Sequence, residues 1–219
     1  MDKEFIDELY HQLRVLYLED DVEQKEAIRG IVSHLTNPDS SQGDYTGLLK
    51  FSSWYGTTFL LPKVRKIIDS NLIKADRIVE LGAGLSWLGR GLGSAYNVPT
   101  LFIDKRQWVF TDIVADIEST NGVKRVLDEL KPGDLIVMSE LLHCLDRPEK
   151  VMERFKHWPM IVIEYLPSSI GPQDYAESYK RQISCFGCKP VESLRKIFHW
   201  QNIIEYNVFP YTIAYVRPI

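Results

Sequence analysis

Short apolar runs alternate with amphipathic stretches from about residue 76 onward. Four of these runs have the length and continuity of strands that are buried on both faces of a sheet. They occupy residues 77–81, 99–103, 134–140 and 160–164. Strands that alternate with helices imply right-handed crossovers and a parallel sheet. The pattern therefore predicts an α/β fold with a doubly wound, mostly parallel sheet, with two more strands at residues 202–208 and 211–216.

The helices between these strands are predicted from apolar positions that recur at helical spacing. Pro62 suits the first turn of a helix that ends near Asn71, because proline lacks the amide hydrogen that would be unpaired there. The other predicted helices cover residues 86–96, 122–130, 151–157, 174–183 and 190–198.

Residues 1–59 follow a different pattern. Two apolar stripes at helical spacing, starting at Phe5 and Val22, predict two helices before an aromatic stretch at residues 51–59. That stretch either lines an organic ligand or packs the helices onto the sheet. A helical pair of this size needs a larger core to pack on. We therefore expect a helical cap or lid at 1–59 over a core at 60–219.

A ligand site is predicted where the first apolar run stops at Gly82 and Gly84, because glycines let the backbone turn and let a ligand approach closely. A dinucleotide site would have a third glycine where Trp87 stands, although Gly89 is nearby. Glu80, two positions before the first glycine, suits a cationic ligand better than a phosphate. These observations disfavour NAD and FAD.

Two aspartates follow the next strands. Asp104 ends the second strand, about 20 residues beyond the glycines, where this architecture binds a ribose diol. Only a dozen residues separate it from Asp116, which predicts a second crossover reduced to about one turn. Asp116 is either a ligand-binding residue or a solvated turn residue.

Two segments carry a resemblance to a known family. The run Glu80-Leu81-Gly82-Ala83-Gly84 resembles the first motif of class I S-adenosylmethionine-dependent methyltransferases. The segment from Ser139, with Leu142-His143 and then an Asp-x-Pro-Glu run at residues 146–149, is similar to the part of that family that follows its fourth strand, which corresponds here to the run at 134–140. The resemblance covers roughly residues 60–219.

The resemblance implies an antiparallel last strand and a cofactor, S-adenosylmethionine, whose positive methionine part lies against the glycine loop. It places the adenine amine near Asp116 and Ile117. The cofactor-binding residues that it implies are Glu80, Gly82, Gly84, Asp104, Asp116, Ile117 and Ser139.

The resemblance also provides two candidate catalytic residues. His143 resembles the base histidine of small-molecule O-methyltransferases, but Cys144 and Leu145 depart from their pattern. A base with an ordinary histidine pKa of about 6.5 would suit a hydroxyl acceptor. The alternative is a structural histidine bonded to a neighbouring loop. Glu140 is expected to contact the substrate or to hold His143 in one tautomer.

The predicted function is methyl transfer to a small organic acceptor, with oxygen favoured over nitrogen and carbon. Two alternatives stay open at this point. An NAD-dependent oxidoreductase is disfavoured by Trp87 and by the lack of a Tyr-x-x-x-Lys pattern. A binding or scaffolding protein that keeps the fold without turnover would make the amino-terminal helices a partner interface.

Composition limits the remaining classes. The 219 residues include 26 Lys and Arg against 30 Asp and Glu, with no basic stripe, so a nucleic-acid partner is not expected. No run approaches the roughly 18 apolar residues of a membrane span, and the charged start is unlike a signal peptide. We expect a cytoplasmic protein. The three cysteines fit a reducing compartment.

Cys185 and Cys188 form a Cys-x-x-Cys pair, which is either half of a zinc or redox site or two ordinary thiols. A zinc site needs about four ligands, and Cys144, His143 and His199 are the nearest candidates by sequence. We expect no metal.

Overall fold

A computed structural model describes residues 60–84, 87–107, 110–164, 191–199, 202–208 and 211–219. The cap predicted at 1–59, the helix predicted at 174–183 and the Cys185–Cys188 pair lie outside the described residues.

The described elements alternate as the sequence predicts. The strands are β1 (Arg77–Leu81), β2 (Thr100–Asp104), β3 (Ile113–Val114), β4 (Asp134–Ser139), β5 (Met160–Glu164), β6 (Ile203–Val208) and β7 (Tyr211–Val216). The α-helices are α1 (Leu61–Ser70), α2 (Trp87–Tyr96), α3 (Thr120–Glu129), α4 (Pro148–Glu153) and α5 (Leu194–Ile197), and a 3-10 helix spans Leu142–Cys144.

The seven strands form one sheet in the order β3-β2-β1-β4-β5-β7-β6. Strands β1 to β5 pair in parallel, and β7 is antiparallel to both β5 and β6. The predicted fold class is therefore confirmed, including the antiparallel last strand. The strand order reverses between β1 and β4, so the carboxyl ends of these strands border the crevice where open α/β sheets bind ligands.

Alternate residues of the strands enter two separate hydrophobic layers, as the period of a strand requires. Val79 and Ile136 face one layer, which also contains Val126 of α3 and Met152 of α4. The other layer, on the opposite face of the sheet, contains Val64 of α1 and Leu88 of α2 together with Ile78 of β1 and Leu135 of β4. Full burial of both faces explains why the central strands read as continuous apolar runs.

The crossover between β2 and β3 is short, as predicted: the described residues 105–107 and 110–112 contain no helix. Two helices begin three or more residues away from their predicted starts. Helix α4 begins at Pro148 rather than at residue 151, because proline fits the first turn. Helix α5 is shorter than predicted, because Ser193 has extended backbone angles and residues 191–193 lie outside the helix.

The amino-terminal ends of β1 and β4 are joined by an ion pair. The guanidinium of Arg77 donates to both carboxylate oxygens of Asp134, at 2.9 and 2.6 Å. Asp134 is 2 % exposed and also accepts the amide hydrogen of Lys131 at 2.7 Å. None of the helices in the described part of the chain has the length and apolarity needed to span a bilayer.

Replacing Asp134 with Asn should destabilise the fold without altering the carboxyl edge of the sheet. The substitution keeps the side-chain volume but removes the negative charge that accepts three short hydrogen bonds. We therefore expect the free energy of unfolding to fall by about 1.5–3 kcal/mol. Urea unfolding would measure it, with Asp128→Asn on the exposed side of α3 as the matched control. A loss as small as that of the control would contradict a structural role for the Arg77 pair.

Candidate functional site

The carboxyl ends of β1, β2, β4 and β5 meet at one edge of the sheet, and most of the predicted site residues lie there. Gly82 follows β1, Asp104 ends β2, Ser139 ends β4 and Glu164 ends β5. We define the carboxyl edge as this set of strand ends with the loops that follow them.

The glycine loop and Asp104 form one unit. Gly82 and Gly84 have φ angles of 67° and 51°, the left-handed region that glycine adopts most readily. A Cβ on Gly82 would lie 2.6 Å from a side-chain carbon of Leu141. The amide of Gly84 donates to one carboxylate oxygen of Asp104 at 3.0 Å, and the amide of Arg106 donates to the other at 2.9 Å. The structure thus brings the glycines and Asp104 together.

Glu80 is buried beneath this loop, with 4 % of the residue exposed. Burial raises the pKa of Glu80 to about 8, and the negative charge of Asp104 adds to that shift, while a hydrogen bond from the Gly89 amide opposes it. That bond measures 3.3 Å. A Cβ on Gly89 would collide with the Glu80 carboxylate, so the glycine allows helix α2 to pack closely against Glu80.

The raised pKa of Glu80 predicts a pH-dependent cost to stability. Below its ordinary pKa of 4.5 the carboxyl is protonated in both folded and unfolded chains, so it costs nothing there. As pH rises from 4.5 to about 8, only the unfolded chain ionises, and the folded chain loses stability. Glu80→Gln should remove this cost, so its advantage over the parent should grow across that range and then level off.

Chemical unfolding at a series of pH values would measure this difference. Glu149→Gln on the exposed face of α4 is the control and should track the parent. An advantage of Glu80→Gln that does not change between pH 4 and pH 9 would show that Glu80 is already ionised in the folded protein.

Asp116 and Ile117 follow β3, whose residue Val114 pairs with Asp104 of β2. The Asp116 side chain is exposed and accepts the amide of Glu118 at 3.0 Å, whereas Ile117 is buried. A Cβ on Gly122 would collide with the Asp116 backbone, so this glycine lets the start of α3 pack against the loop. The turn is therefore fixed in place at the carboxyl edge.

Glu140 follows β4 with a φ angle of 53°, which is unusual for a residue that is not glycine. Its amide donates to the carbonyl of Ile163 at 2.8 Å, which ties this turn to β5. The predicted strand at 134–140 ends one residue early, at Ser139, because Glu140 leaves the extended conformation.

His143 is held by Glu164, a residue that the sequence analysis did not select. Glu164 has no solvent exposure; one of its oxygens lies 2.8 Å from Nδ1 of His143, and the other accepts the amide of Leu142 at 3.0 Å. The carboxylate at Nδ1 is therefore that of Glu164, in the position expected for Glu140. An acidic residue closing an otherwise apolar run at 160–164 was the signal available in the sequence.

The expectation of an ordinary pKa for His143 is wrong. Burial lowers the pKa of the imidazole, but hydrogen bonds and negative charge from Cys144 and Glu164 more than offset this and raise it to about 10. These neighbours therefore favour the cationic form of the imidazole.

Thr212 is a further polar residue near this edge. It pairs with Glu164 across β5 and β7, so the two side chains project from the same face of the sheet. Thr212 is 2 % exposed, and no hydrogen-bond partner for its hydroxyl is found in the part of the chain that the structure describes. A buried hydroxyl of this kind is costly unless a ligand or water satisfies it.

Comparisons with solved structures show the fold of this chain. No sequence-family model matches the chain, and no curated protein does. Among solved structures, an O-methyltransferase family protein from Burkholderia thailandensis is similar, with 8% identity, a TM-score of 0.55 and coverage of 85% of this chain and 62% of that one. The pyocyanin biosynthetic protein PhzM has 13% identity, a TM-score of 0.53 and coverage of 82% and 59%.

A SAM-dependent methyltransferase from Archaeoglobus fulgidus is also similar, with 13% identity, a TM-score of 0.52 and coverage of 77% of this chain and 98% of that one. The chain has the fold of class I S-adenosylmethionine-dependent methyltransferases. It spans about three fifths of the length of PhzM and of the Burkholderia protein. Among the described residues of this methyltransferase fold, no group of three or more His, Cys, Asp or Glu could hold a metal ion.

Proposed function

We propose that the chain is an S-adenosylmethionine-dependent methyltransferase that transfers a methyl group to a hydroxyl oxygen of a small organic acceptor. The observation that carries this proposal is the joining of the glycine loop to Asp104 at the carboxyl edge, above the buried Glu80. The dyad of His143 and Glu164 at the same edge supports oxygen as the methylated atom.

The residues of this edge fit the cofactor. A carboxylate has about four lone-pair sites, and the amides of Gly84 and Arg106 use two of those on Asp104, so two serve the ribose hydroxyls. The left-handed glycines leave room for close approach. A positive ligand favours the ionised form of Glu80. The cofactor would supply a methyl group bound to a positive sulfonium sulfur. After the transfer, that sulfur belongs to a neutral thioether.

The same residues do not fit a dinucleotide. Trp87 begins helix α2 and is 2 % exposed, so a buried indole occupies the position where the dinucleotide fold has its third glycine. Gly89, the other candidate, lies against Glu80 and would bring a pyrophosphate towards a buried acid. These contacts favour the methyltransferase over the oxidoreductase.

His143 manages the proton of the acceptor hydroxyl. Glu164 orients the imidazole. The imidazolium and the acceptor hydroxyl together have to lose one proton before the acceptor oxygen can attack the methyl group. The raised pKa makes the imidazole a stronger base. A phenol, with a pKa of about 10, gives up its proton to such a base more readily than an aliphatic alcohol does. Phenol-type acceptors are therefore favoured, and Thr212 offers a second polar group to them.

The cofactor assignment predicts binding of S-adenosylmethionine and S-adenosylhomocysteine, and no binding of NAD, in calorimetric titrations. Asp104→Ala should weaken S-adenosylhomocysteine binding by ten-fold or more, because hydrogen bonds to a charged group contribute about 1.5–3 kcal/mol. Asp128→Ala, which removes an exposed carboxylate on α3, is the matched control and should bind like the parent.

Tight NAD binding with no response to S-adenosylhomocysteine would overturn the methyltransferase proposal. Failure to bind either ligand would favour a binding or scaffolding protein that uses the same fold. If Asp104→Ala bound S-adenosylhomocysteine like the parent, the ribose would lie elsewhere.

The catalytic assignment predicts a rate that depends on deprotonation of the His143 site. In a screen of phenols, carboxylates and amines, kcat for an accepted phenol should rise with pH from 7 towards about 10, because the deprotonated fraction grows ten-fold per unit below the pKa. His143→Gln should lower kcat by about two orders of magnitude and leave S-adenosylhomocysteine affinity unchanged.

Glu164→Gln separates this role from simple packing. It keeps the volume but removes the charge that raises the pKa of His143, so the rise in kcat should move to lower pH. His157→Gln, an exposed histidine after α4, is the control for His143→Gln. A pH profile that is the same in the parent and in Glu164→Gln would assign His143 to structure.

A further inference from the structure

We propose that the hydroxyl of Thr212 binds a second, uncharged oxygen of the acceptor, so that the chain methylates phenols with a further neutral oxygen in preference to simple phenols. This inference rests on the proposed function, because it names the acceptor class of the same site. Thr212 is then a specificity-determining residue, whereas His143 and Glu164 manage the proton of the methylated hydroxyl.

The first argument is the state of the Thr212 hydroxyl. Thr212 is 2 % exposed, and its Oγ1 has no hydrogen-bond partner among the described residues. The other buried polar residues of that part of the chain, Glu80, Asp134 and Glu164, each accept a hydrogen bond. Leaving a buried hydroxyl unpaired destabilises a fold. Valine has the same shape without that cost, so packing alone does not explain a threonine here.

The second argument is the face of the sheet from which Thr212 projects. Alternate side chains of a strand share one face. Ala214 and Val216, two and four positions after Thr212, belong to the hydrophobic layer that also contains Val162 of β5. Glu164 is the residue opposite Thr212 in the register of β5 and β7, so their Cβ atoms are about 4.5–5.5 Å apart. Thr212 therefore projects from the same face of the sheet as Glu164.

The surroundings of Thr212 are apolar on one side and polar on the other. Val162 pairs with Ala214 in the next pair along β5 and β7, and both are fully buried. These side chains offer no hydrogen bond. On the side of the carboxyl edge, Glu164 contacts Nδ1 of His143. A ligand group that completes the Thr212 hydroxyl therefore comes from the carboxyl edge, beside the dyad of His143 and Glu164.

Glu164 limits the chemical class of that group. Its two oxygens are occupied, one by His143 at 2.8 Å and the other by the Leu142 amide at 3.0 Å. His143 already matches the charge of Glu164, so a carboxylate on the acceptor would add an unpaired negative charge beside a buried acid. A neutral hydroxyl, ether or carbonyl oxygen can accept a hydrogen bond from Thr212 without that cost.

A binding site that forms a hydrogen bond with a substrate oxygen discriminates against analogues that lack this oxygen. Acceptors with a second neutral oxygen should therefore be methylated with a higher kcat/KM than phenol itself, and hydroxybenzoates should be poor acceptors. The position of the second oxygen on the ring is read from the isomer of dihydroxybenzene that the parent methylates best.

The test compares phenol, the three isomers of dihydroxybenzene and the hydroxybenzoates as acceptors of the parent, Thr212→Val and Thr212→Ser. Thr212→Val should raise KM for the preferred dihydroxybenzene by about ten-fold, the effect of one hydrogen bond, and leave phenol unaffected. Thr212→Ser should keep the preference. S-adenosylhomocysteine affinity should be unchanged in both. Thr120→Val, at the exposed start of α3, is the control and should behave like the parent.

Urea unfolding of the ligand-free chain separates a ligand-binding hydroxyl from a structural one. Thr212→Val should be at least as stable as the parent, because it removes an unpaired hydroxyl at constant shape. A clear loss of stability in this variant would show that the hydroxyl has a structural partner, and would refute the proposal.

Two results with the acceptors would refute the proposal while leaving the proposed function in place. One is a parent that binds S-adenosylhomocysteine and prefers phenol or a hydroxybenzoate. The other is a preference for dihydroxybenzene that persists in Thr212→Val. Where turnover is too slow, calorimetric binding of the same phenols to the complex with S-adenosylhomocysteine gives the same comparison. A parent that does not bind S-adenosylhomocysteine would overturn the proposed function, and this inference with it.

Discussion

A carboxylate without solvent exposure closes β5, and the arrangement of the carboxyl edge depends on it. Glu164 takes one hydrogen bond from the Leu142 amide and one contact from His143, and both partners belong to the turn after β4. Because a buried charge that loses a partner is strongly destabilising, the chain keeps this turn in one conformation. The position of His143 follows from that requirement.

The sequence predicted the elements of this fold better than the contacts between them. Apolar runs gave β1, β4 and β5 nearly to the residue, because strands buried on both faces leave a local record. The acidic end of the run at 160–164 marks Glu164 as unusual, but its contact with His143 leaves no local record, since it arises from the register of β4 on β5 and joins residues 21 positions apart. The pKa predicted for His143 was wrong partly for the same reason: of the two groups that raise it, Cys144 and Glu164, the second is a neighbour only in space.

Glycine positions show the same division. Gly82 and Gly84 were selected correctly as turn residues, because a glycine pair directly after an apolar strand is a local signal. Gly89 was considered only as a possible phosphate glycine. Glycine is needed at position 89 because the Glu80 carboxylate occupies the space that a Cβ would need. The sequence alone does not distinguish a glycine that makes room for a distant side chain from a glycine that makes room for a ligand.

The two buried glutamates of the edge divide it into regions of different chemistry. Glu80 lies against α2, in the layer of Leu88, whereas Glu164 contacts Leu142, in the opposite layer. Burial raises the pKa of Glu80, so it gains most from a cation that arrives with a ligand. Glu164 already has its cation in His143. Under the proposed methyl transfer to a hydroxyl, the side of Glu80 would receive the positive cofactor and the side of Glu164 would manage the proton of the acceptor.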